Sequence, residues 1–312
     1  MGTPEIAVAS LDAIVKAGYD VVAVVTAPDR PAGRGKKIRF SAVKEYALEN
    51  NLNLLQPVNL KDPEFAEQIR SLKPDLMVVV AFRMLPKVIW SIPEYGTFNM
   101  HASLLPDLRG AAPINRAVIY GYKKTGVTTF FINEEIDKGD VIFKEVVYID
   151  EVETAGSLHD KLMIRGAALV VKTIKHIEKG DFQKTGQNIL EDDFDELRLA
   201  PKIFKEDCKI DWNNCCQDIV NLIHGLNPIP GAFAEMNLNL SIGNANYKIL
   251  NASFEKIKHT EKPGKIFTDG KNYINVAAQD GFVQILTIQE PGKRLLNTPD
   301  YLRGVKIKEN LQ

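Results

Sequence analysis

The fold is organised around one stretch, Phe98-Asn99-Met100-His101-Ala102-Ser103-Leu104-Leu105-Pro106-Asp107-Leu108-Arg109-Gly110-Ala111-Ala112-Pro113. Its first part, from Gly96, is typical of a short strand, in which Asn99 and His101 share one face because side chains alternate along a strand. Prolines and glycines then interrupt regular structure before a predicted helix from Pro113 to Tyr120. An amide and an imidazole therefore lie at the carboxyl end of a strand, the usual ligand position in an open α/β sheet.

Strands and helices alternate on both sides of this stretch. Continuous apolar runs at 21–25 and 76–81 predict strands that are buried on both faces of a parallel sheet. Periodic segments at 5–17, 41–49 and 63–71 predict helices, and a long helix is expected from Thr154, its N-cap, to Ile177. The pattern predicts an α/β domain with a doubly wound, mostly parallel sheet.

The domain boundaries follow from where this alternation begins and fades. Gly2-Thr3-Pro4 is typical of the turn after a first strand, and that strand is absent, so the sheet is expected to lack a central strand. Periodicity fades after residue 180, where acidic residues concentrate, and short segments separated by Gly and Asn then predict a small β-barrel. We predict a catalytic domain over 1–180, a linker over 181–200 and a C-terminal domain over 201–312.

Length, composition, cysteine count and net charge narrow the class of protein. The chain has 312 residues, 45% of them hydrophobic, which favours two globular domains. No apolar run reaches the roughly 20 residues of a membrane helix, and no signal-like segment opens the chain, so a cytoplasmic protein without membrane contact is expected. Three cysteines, Cys208, Cys215 and Cys216, lack zinc-site spacing and indicate a reducing compartment. A net charge of -1 does not exclude a nucleic-acid partner, because a local basic patch can bind phosphates.

A single histidine at the end of a strand is more often structural than catalytic, and the longer pattern decides between the two. Asn99, His101, Ser103-Leu104-Leu105-Pro106 and Arg109-Gly110 closely resemble the signature of the 10-formyltetrahydrofolate-dependent formyltransferase family. The similarity extends over nearly the whole chain and lacks only the first strand, which precedes the same Gly-Thr-Pro in the family. It implies a Rossmann-like formyltransferase domain followed by an oligonucleotide-binding-like barrel.

Formyl transfer sets clear chemical requirements. An amine attacks a formamide carbon, so negative charge develops on the formyl oxygen and the nitrogen must lose a proton. The amide of Asn99 is suited to the oxyanion because it donates without changing charge. His101 either donates to the same oxygen or moves a proton, and the sequence leaves both roles open. No metal is required, and none is expected.

An acidic loop supplies the third candidate. Ile136-Asp137-Lys138-Gly139-Asp140 lies between two predicted strands and resembles the acidic loop of the family. The alternative is that both aspartates are ordinary turn residues. The resemblance implies a catalytic Asp137, which could hold His101 in one tautomer or relay a proton through water, and a structural Asp140.

The resemblance also indicates where the folate lies. The matching residues follow the 76–81 strand and the central strand, although apolar loop residues are more often simply packed. Arg109 could contact an anion or brace its loop, and both alternatives stay open. The expected folate contacts are Phe82, Arg83, Met84, Leu85, Ser103, Leu104, Leu105 and Pro106.

A basic loop identifies the second substrate. Residues 27–39 hold five basic residues against one acid and follow the 21–25 strand, on the side of the sheet where Asn99 and His101 emerge. Such a run is usually a solvated loop. Near an active site it can grip a phosphate backbone. It resembles the loop that the methionyl-tRNA formyltransferase branch of the family inserts to hold tRNA, which implies contacts from Arg34, Lys36, Lys37 and Arg39.

These observations lead to one expected function and its alternatives. We expect a monomeric enzyme that transfers the formyl group of 10-formyltetrahydrofolate to the α-amine of methionine on initiator tRNA. A formyltransferase or formyltetrahydrofolate hydrolase of the same fold acting on a small molecule is the nearest alternative. A non-enzymatic RNA-binding protein would have no use for the Asn99, His101 and Asp137 set. A dinucleotide oxidoreductase is disfavoured because Gly2-Thr3-Pro4 lacks the G-x-G-x-x-G pattern.

Overall fold

The structure is a computed structural model that describes residues 1–32, 37–239 and 241–305. The chain divides into two compact units. The first unit comprises Met1–Pro113, Lys124–Tyr148 and His159–Ala200, and the second comprises Ile114–Lys123, Ile149–Leu158 and the described part of Pro201–Gln312.

The elements follow the alternation that the sequence predicts. In the described ranges, no helix is both long enough and apolar enough to cross a membrane. The α-helices are α1 (Glu5–Lys16), α2 (Ala42–Glu49), α3 (Pro63–Ser71), α4 (Lys87–Trp90), α5 (Pro113–Ile119), α6 (Ala155–Lys179), α7 (Cys216–Gly225) and α8 (Thr298–Arg303), and the 3-10 helices are η1 (Gln187–Asp193) and η2 (Glu206–Cys208). The strands are β1 (Val24–Val25), β2 (Arg30–Ala32), β3 (Lys37–Arg39), β4 (Leu54–Leu55), β5 (Met77–Val80), β6 (Thr97–His101), β7 (Arg109–Gly110), β8 (Lys124–Phe131), β9 (Val141–Tyr148), β10 (Leu199–Ala200), β11 (Ala232–Met236), β12 (Ala245–Lys256), β13 (Ile266–Thr268), β14 (Ile274–Ala277), β15 (Gly281–Gln289) and β16 (Leu296–Asn297).

Capping side chains account for the starts of α2 and α6. The hydroxyl of Ser41 accepts a hydrogen bond from the amide of Lys44 at 3.1 Å before α2. The hydroxyl of Thr154 accepts one from the amide of Ser157 at 3.1 Å before α6, as its predicted N-cap role requires. Each cap satisfies an amide that would otherwise have no partner in the first helical turn.

The main sheet of the first unit has the order β5-β6-β8-β9. β5 and β6 are parallel, whereas β8 and β9 each join antiparallel. β1 and β4 form a separate parallel pair. The predicted Rossmann-like α/β class is confirmed, with the difference that the sheet is antiparallel on one side, because β8 and β9 are consecutive strands that a short loop can connect.

Within the described ranges, Met1 and Gly2 form the backbone bridge in space between β1 and β5. The amide of Gly2 donates to the carbonyl of Val25 at 3.0 Å, and the amide of Val80 donates to the carbonyl of Met1 at 2.9 Å. Gly2 is required by close packing, because a Cβ there would lie 2.3 Å from the Cβ of Ala7. A cavity of about 350 Å³ lies beside this bridge and is lined largely by apolar side chains.

The segment predicted as a linker belongs to the first unit as far as Ala200. β10 pairs in parallel with β7, and Gln187 in η1 is buried. The acidic side chains of Glu191, Asp192, Asp195 and Glu196 face solvent, whereas the backbone around them is bonded to the rest of the unit. The acidic composition of this segment therefore reflects its exposure to solvent and does not mark a domain boundary.

The second unit contains the antiparallel sheet. Its order is β11-β12-β15-β14-β13, with β16 added to β15. Helix α7 contributes Ile219 and Ile223 to a core shared with Tyr247 and Ile249 of β12. The predicted small barrel is thus an antiparallel half-barrel in the described chain, since β11 and β13 end the strand order without pairing with each other.

Candidate active site

Asn99 lies in the middle of β6, between two apolar neighbours. It is paired in register with Val79 of β5 and Phe130 of β8, both of which are buried. Its Oδ1 atom is buried, and the side chain has no hydrogen bond to any described residue. A buried polar group without a partner costs about 1–3 kcal/mol, so such groups are rare and each calls for an explanation.

His101 ends β6, two residues further on the same face. It is 7% exposed, and its Nε2 lies 3.0 Å from the carbonyl oxygen of Leu108. A carbonyl only accepts, so Nε2 carries the proton, and in the neutral ring Nδ1 then bears the lone pair. Nδ1 has no hydrogen bond within the described chain. The loop backbone therefore selects the tautomer and leaves Nδ1 as a proton acceptor.

Thr128 of β8 holds the loop that follows His101. It is fully buried and lies opposite His101 in the strand register. Its hydroxyl donates to the carbonyl of Ser103 at 2.7 Å and accepts from the amide of Leu105 at 3.1 Å. Thr128 is absent from the residues predicted from the sequence, because no sequence signal distinguishes it from Thr125 and Thr129 in the same strand.

Asp107 fastens the same loop to the end of the first unit. Its buried carboxylate accepts from the amide of Arg198 at 2.9 Å. The amide of Leu108 donates to the carbonyl of Arg198 at 2.8 Å. The carbonyl that orients His101 is thus held by a segment 90 residues further along the chain, which explains why the region before Ala200 belongs with this unit.

Asp137 contacts the same loop from the other side. Its Oδ2 accepts from the amide of Gly110 at 3.1 Å, and its own backbone is left-handed, with a φ of 55°. Gly110 has a φ of 130°, and a Cβ there would lie 2.4 Å from the carbonyl oxygen of Ala200, so only glycine fits. No hydrogen bond between Asp137 and His101 is present among the described contacts, so the predicted control of the tautomer by Asp137 is wrong for this structure.

Arg109 braces the loop. Its Nε donates to Oε1 of Gln187 at 2.9 Å, and its Nη2 lies 3.4 Å from Oε1 of Glu191. The guanidinium side chain is only 15% exposed. Of the two roles that the sequence left open, the structure shows the bracing one.

The eight predicted folate residues divide by exposure. The hydroxyl of Ser103 donates to the carbonyl of Asp107 at 2.6 Å, so it is occupied within the loop. Side chains that are buried in the core hold the loop in its conformation and do not present an open apolar surface to a ligand. Ser103, Leu105, Pro106 and Leu85 are buried, Phe82, Arg83 and Leu104 are partly exposed, and Met84 is exposed.

Arg83 ties two loops of the first unit together. Its Nη2 donates to the carbonyl of Pro57 at 2.8 Å, and its Nη1 donates to the carbonyl of Val58 at 3.1 Å. The guanidinium also lies 5.3 Å from the centroid of the Phe82 ring. Burial, assisted by the charge of Arg30, lowers the pKa of Arg83 from its ordinary value. The guanidinium therefore fixes the loop after β5.

The basic loop begins as a hairpin. β2 and β3 pair antiparallel, and this places Lys37 and Arg39 on β3, whereas Arg34 and Lys36 lie outside the described residues. At the base, the carboxylate of Asp29 binds Lys44 at 2.5 Å and Gln56 at 2.9 Å. These hydrogen bonds hold the pKa of Asp29 below its ordinary value.

Comparison with known proteins identifies the family. Residues 1–174 match the family model described as formyl transferase, and residues 202–306 match the model described as formyl transferase, C-terminal domain. A methionyl-tRNA formyltransferase from Flavobacterium johnsoniae is 49% identical over 312 residues, which is 99% of this chain and 96% of that protein. A methionyl-tRNA formyltransferase from Bacteroides fragilis is 49% identical over 99% of this chain and 95% of that protein.

Solved structures share the fold. The N-formyltransferase from Helicobacter canadensis, in complex with folinic acid and dTDP-3-aminofucose, superposes with a TM-score of 0.65 at 21% identity, covering 91% of this chain and 96% of that one. HypX from Aquifex aeolicus in complex with tetrahydrofolic acid gives 0.57 at 22% identity, covering 84% of this chain and 45% of that one. At these identities the likeness concerns the fold alone. The family models and the curated relatives, taken together, show that this chain belongs to the formyl transferase family.

Proposed function

We propose that this protein transfers the formyl group of 10-formyltetrahydrofolate to the α-amine of methionine esterified to initiator tRNA. Relatives that share about half of its residues over nearly the full length bear the name methionyl-tRNA formyltransferase. The observation in the structure that carries the proposal is the side chain of Asn99, which lies in the middle of β6 between apolar neighbours and makes no hydrogen bond to a described residue, its buried Oδ1 included.

The reaction is a direct transfer in which the substrate amine is the nucleophile. The amine nitrogen forms a bond to the formyl carbon, and the carbonyl electrons move to the oxygen. The amide of Asn99 donates to this oxyanion without changing its own charge. When the intermediate collapses, the bond from the formyl carbon to the folate nitrogen breaks, that nitrogen takes up a proton, and tetrahydrofolate leaves.

His101 and Asp137 handle the proton that the amine loses. With Nε2 bonded to the carbonyl of Leu108, His101 presents the lone pair of Nδ1 as the acceptor. Asp137 is held by the amide of Gly110 beside the same loop, and a carboxylate there relays the proton through water. The two groups act from opposite ends of the segment between residues 108 and 110.

The folate ring requires apolar surface next to these groups. Phe82, Met84 and Leu104 keep exposed surface on the two loops that the sequence assigned to folate. The buried members of that set, such as Leu105, keep the loop in shape. The Nδ2 group of Asn99, which makes no hydrogen bond to a described residue, is the donor that a formamide oxygen requires.

The basic hairpin supplies the tRNA contacts. Arg39 is exposed on β3, and we place Arg34, Lys36 and Lys37 in the same role on the strength of the sequence. Phosphate contacts of this kind give binding that weakens as salt rises. The reaction takes place in the cytoplasm, where charged tRNA is found, and the enzyme acts as a monomer. The cysteines are unpaired, which accords with a reducing compartment.

The test is formyl transfer to methionine-charged initiator tRNA, with free methionine and uncharged tRNA as controls. Transfer to the charged tRNA alone would support the proposal. A nucleotide-linked amino sugar is the matched competing acceptor, because the protein from Helicobacter canadensis was solved with one. Transfer to the sugar and none to the tRNA would refute the proposal in favour of a small-molecule enzyme.

A further inference from the structure

Gln187 opens η1 in the segment before Ala200, where the sequence predicts only a solvated linker. Its side chain is 3% exposed and makes three hydrogen bonds, so both donors and the acceptor of the amide are used. A buried amide with every group satisfied has one geometry available to it. The side chain of Gln187 is therefore held in one orientation within the first unit.

Two of the three bonds hold the backbone around Asp137. Nε2 of Gln187 donates to the carbonyl of Asp137 at 2.9 Å and to the carbonyl of Gly139 at 2.8 Å. Asp137 has a φ of 55°, in the left-handed region that L-residues other than Asn and Asp seldom visit. Such a conformation persists only where surrounding contacts hold it, and the two carbonyl bonds do so.

The third bond connects the same amide to the loop that binds the carboxylate. Oε1 of Gln187 accepts from Nε of Arg109 at 2.9 Å. The next residue is Gly110, whose amide donates to Oδ2 of Asp137 at 3.1 Å. One side chain thus sets both the backbone of Asp137 and the donor that fixes its carboxylate.

We propose that Gln187 is the positioning residue for Asp137 in formyl transfer. This inference rests on the proposed catalytic role of Asp137. Gln187 acts through the acidic loop rather than on the substrates, so its loss affects turnover and spares the binding of either substrate. Misplacement of a reacting group by about 1 Å can lower a rate by about 100-fold.

Two substitutions distinguish the contributions of the three hydrogen bonds of Gln187. Gln187→Leu removes all three, whereas Gln187→Glu keeps an acceptor for Arg109 and removes the amide donors to the two carbonyls. We expect kcat to fall about 10- to 100-fold in both variants, with KM for folate and for tRNA within about twofold of the original value. A Gln187→Glu variant with unchanged kcat would overturn the proposal, because it would show that only the bond to Arg109 matters.

Coupling to Asp137 distinguishes positioning from general support of the fold. In an Asp137→Asn background, Gln187→Leu should lower kcat by less than twofold further, since residues that act as a unit are not additive. A full additional loss would overturn the proposal. Thr173→Val is the matched control, because Thr173 is fully buried and hydrogen-bonded to Thr129 and to the carbonyl of Leu169, outside the acidic loop.

Hydrogen exchange gives a readout that does not depend on activity. In Gln187→Leu, the amides of residues 134–140 should exchange at least about 10-fold faster, while Thr173→Val leaves them unchanged. Unchanged exchange in Gln187→Leu would overturn the positioning role. If exchange is faster in Gln187→Leu but the original protein transfers no formyl group to tRNA, the proposed function is contradicted. The contact between Gln187 and the acidic loop is still supported in that case.

Discussion

The backbone amide of Gly110 donates to the carboxylate of Asp137 at 3.1 Å, although 27 residues separate them in the chain. Two residues before Gly110, the carbonyl of Leu108 accepts from the ring of His101. The loop between β6 and α5 therefore orients the histidine with one peptide group and the aspartate with another. This arrangement accounts for a site in which His101 and Asp137 need no direct contact.

Gly110→Ala should disturb both the site and the fold. The added Cβ meets the carbonyl oxygen of Ala200 at 2.4 Å, and the φ of 130° is itself unfavourable for alanine. We expect a loss of about 2–4 kcal/mol in the free energy of unfolding and a large fall in kcat. Denaturant melts and steady-state kinetics measure the two effects.

Gly18→Ala is the matched control for this change. Gly18 has a φ of 83°, and a Cβ there meets nothing within 4 Å, so the substitution adds backbone strain without a clash. It should cost about 1 kcal/mol of stability and leave kcat unchanged. Equal losses for the two variants would show that backbone strain, rather than contact with Ala200, constrains Gly110.

Asn99→Ala should lower kcat by about 100- to 1000-fold, as expected for loss of one oxyanion donor, with little change in folate binding. Rapid-quench measurement of formyl transfer together with folate binding by calorimetry separates the two effects. Asn275→Ala is the control, because Asn275 of β14 also has a buried Oδ1 without a hydrogen-bond partner in the described chain. Unchanged turnover in Asn99→Ala would remove Asn99 from the mechanism.

The stability of the second unit should depend on pH through His224. Burial lowers the pKa of His224 below its ordinary value of 6.5, although its Nε2 lies 3.0 Å from Oδ1 of Asn251. Between the lowered folded pKa and about 6.5, the unfolded state binds more protons, so unfolding becomes easier as pH falls through this window. The slope cannot exceed about 1.4 kcal/mol per pH unit for one group.

His224→Gln should flatten this dependence between pH 6.5 and the lower pKa, as monitored by chemical denaturation at each pH. The variant His159→Gln serves as the control, since the side chain of His159 is partly exposed and bonded to Asp160. A slope that persists in His224→Gln would mean that another group titrates in this window.

Arg39→Ala should weaken the use of charged tRNA without affecting folate. Removing one phosphate contact should raise KM for the tRNA severalfold and reduce its logarithmic salt dependence by about 1. Lys16→Ala is the control, because Lys16 is exposed on α1 and paired with Asp12. If folate and tRNA use fell together in Arg39→Ala, the hairpin would have a structural role instead.

Most of the architecture was predictable because it depends on local patterns. The apolar run at 76–81 predicted β5 within one residue at each end, and the N-cap residue Thr154 predicted the start of α6. Asn99 and His101 were predictable for the same reason, since alternation along one strand places both on one face. The folate contacts stay a prediction, because an apolar residue such as Leu105 has the same sequence signature in a core as beside a ligand.

The sequence by itself determined the α/β class of the first unit, the β structure of the second unit and the strand that bears Asn99 and His101. Only the tertiary structure decided the tautomer of His101, the place of Asp137 beside Gly110 and the contacts of Gln187. The physical reason is the separation in sequence between the residues that interact. Periodicity and capping involve residues within a few positions, whereas the hydrogen bonds that set the site join residues far apart in the chain, and their partners are defined only once the chain has folded.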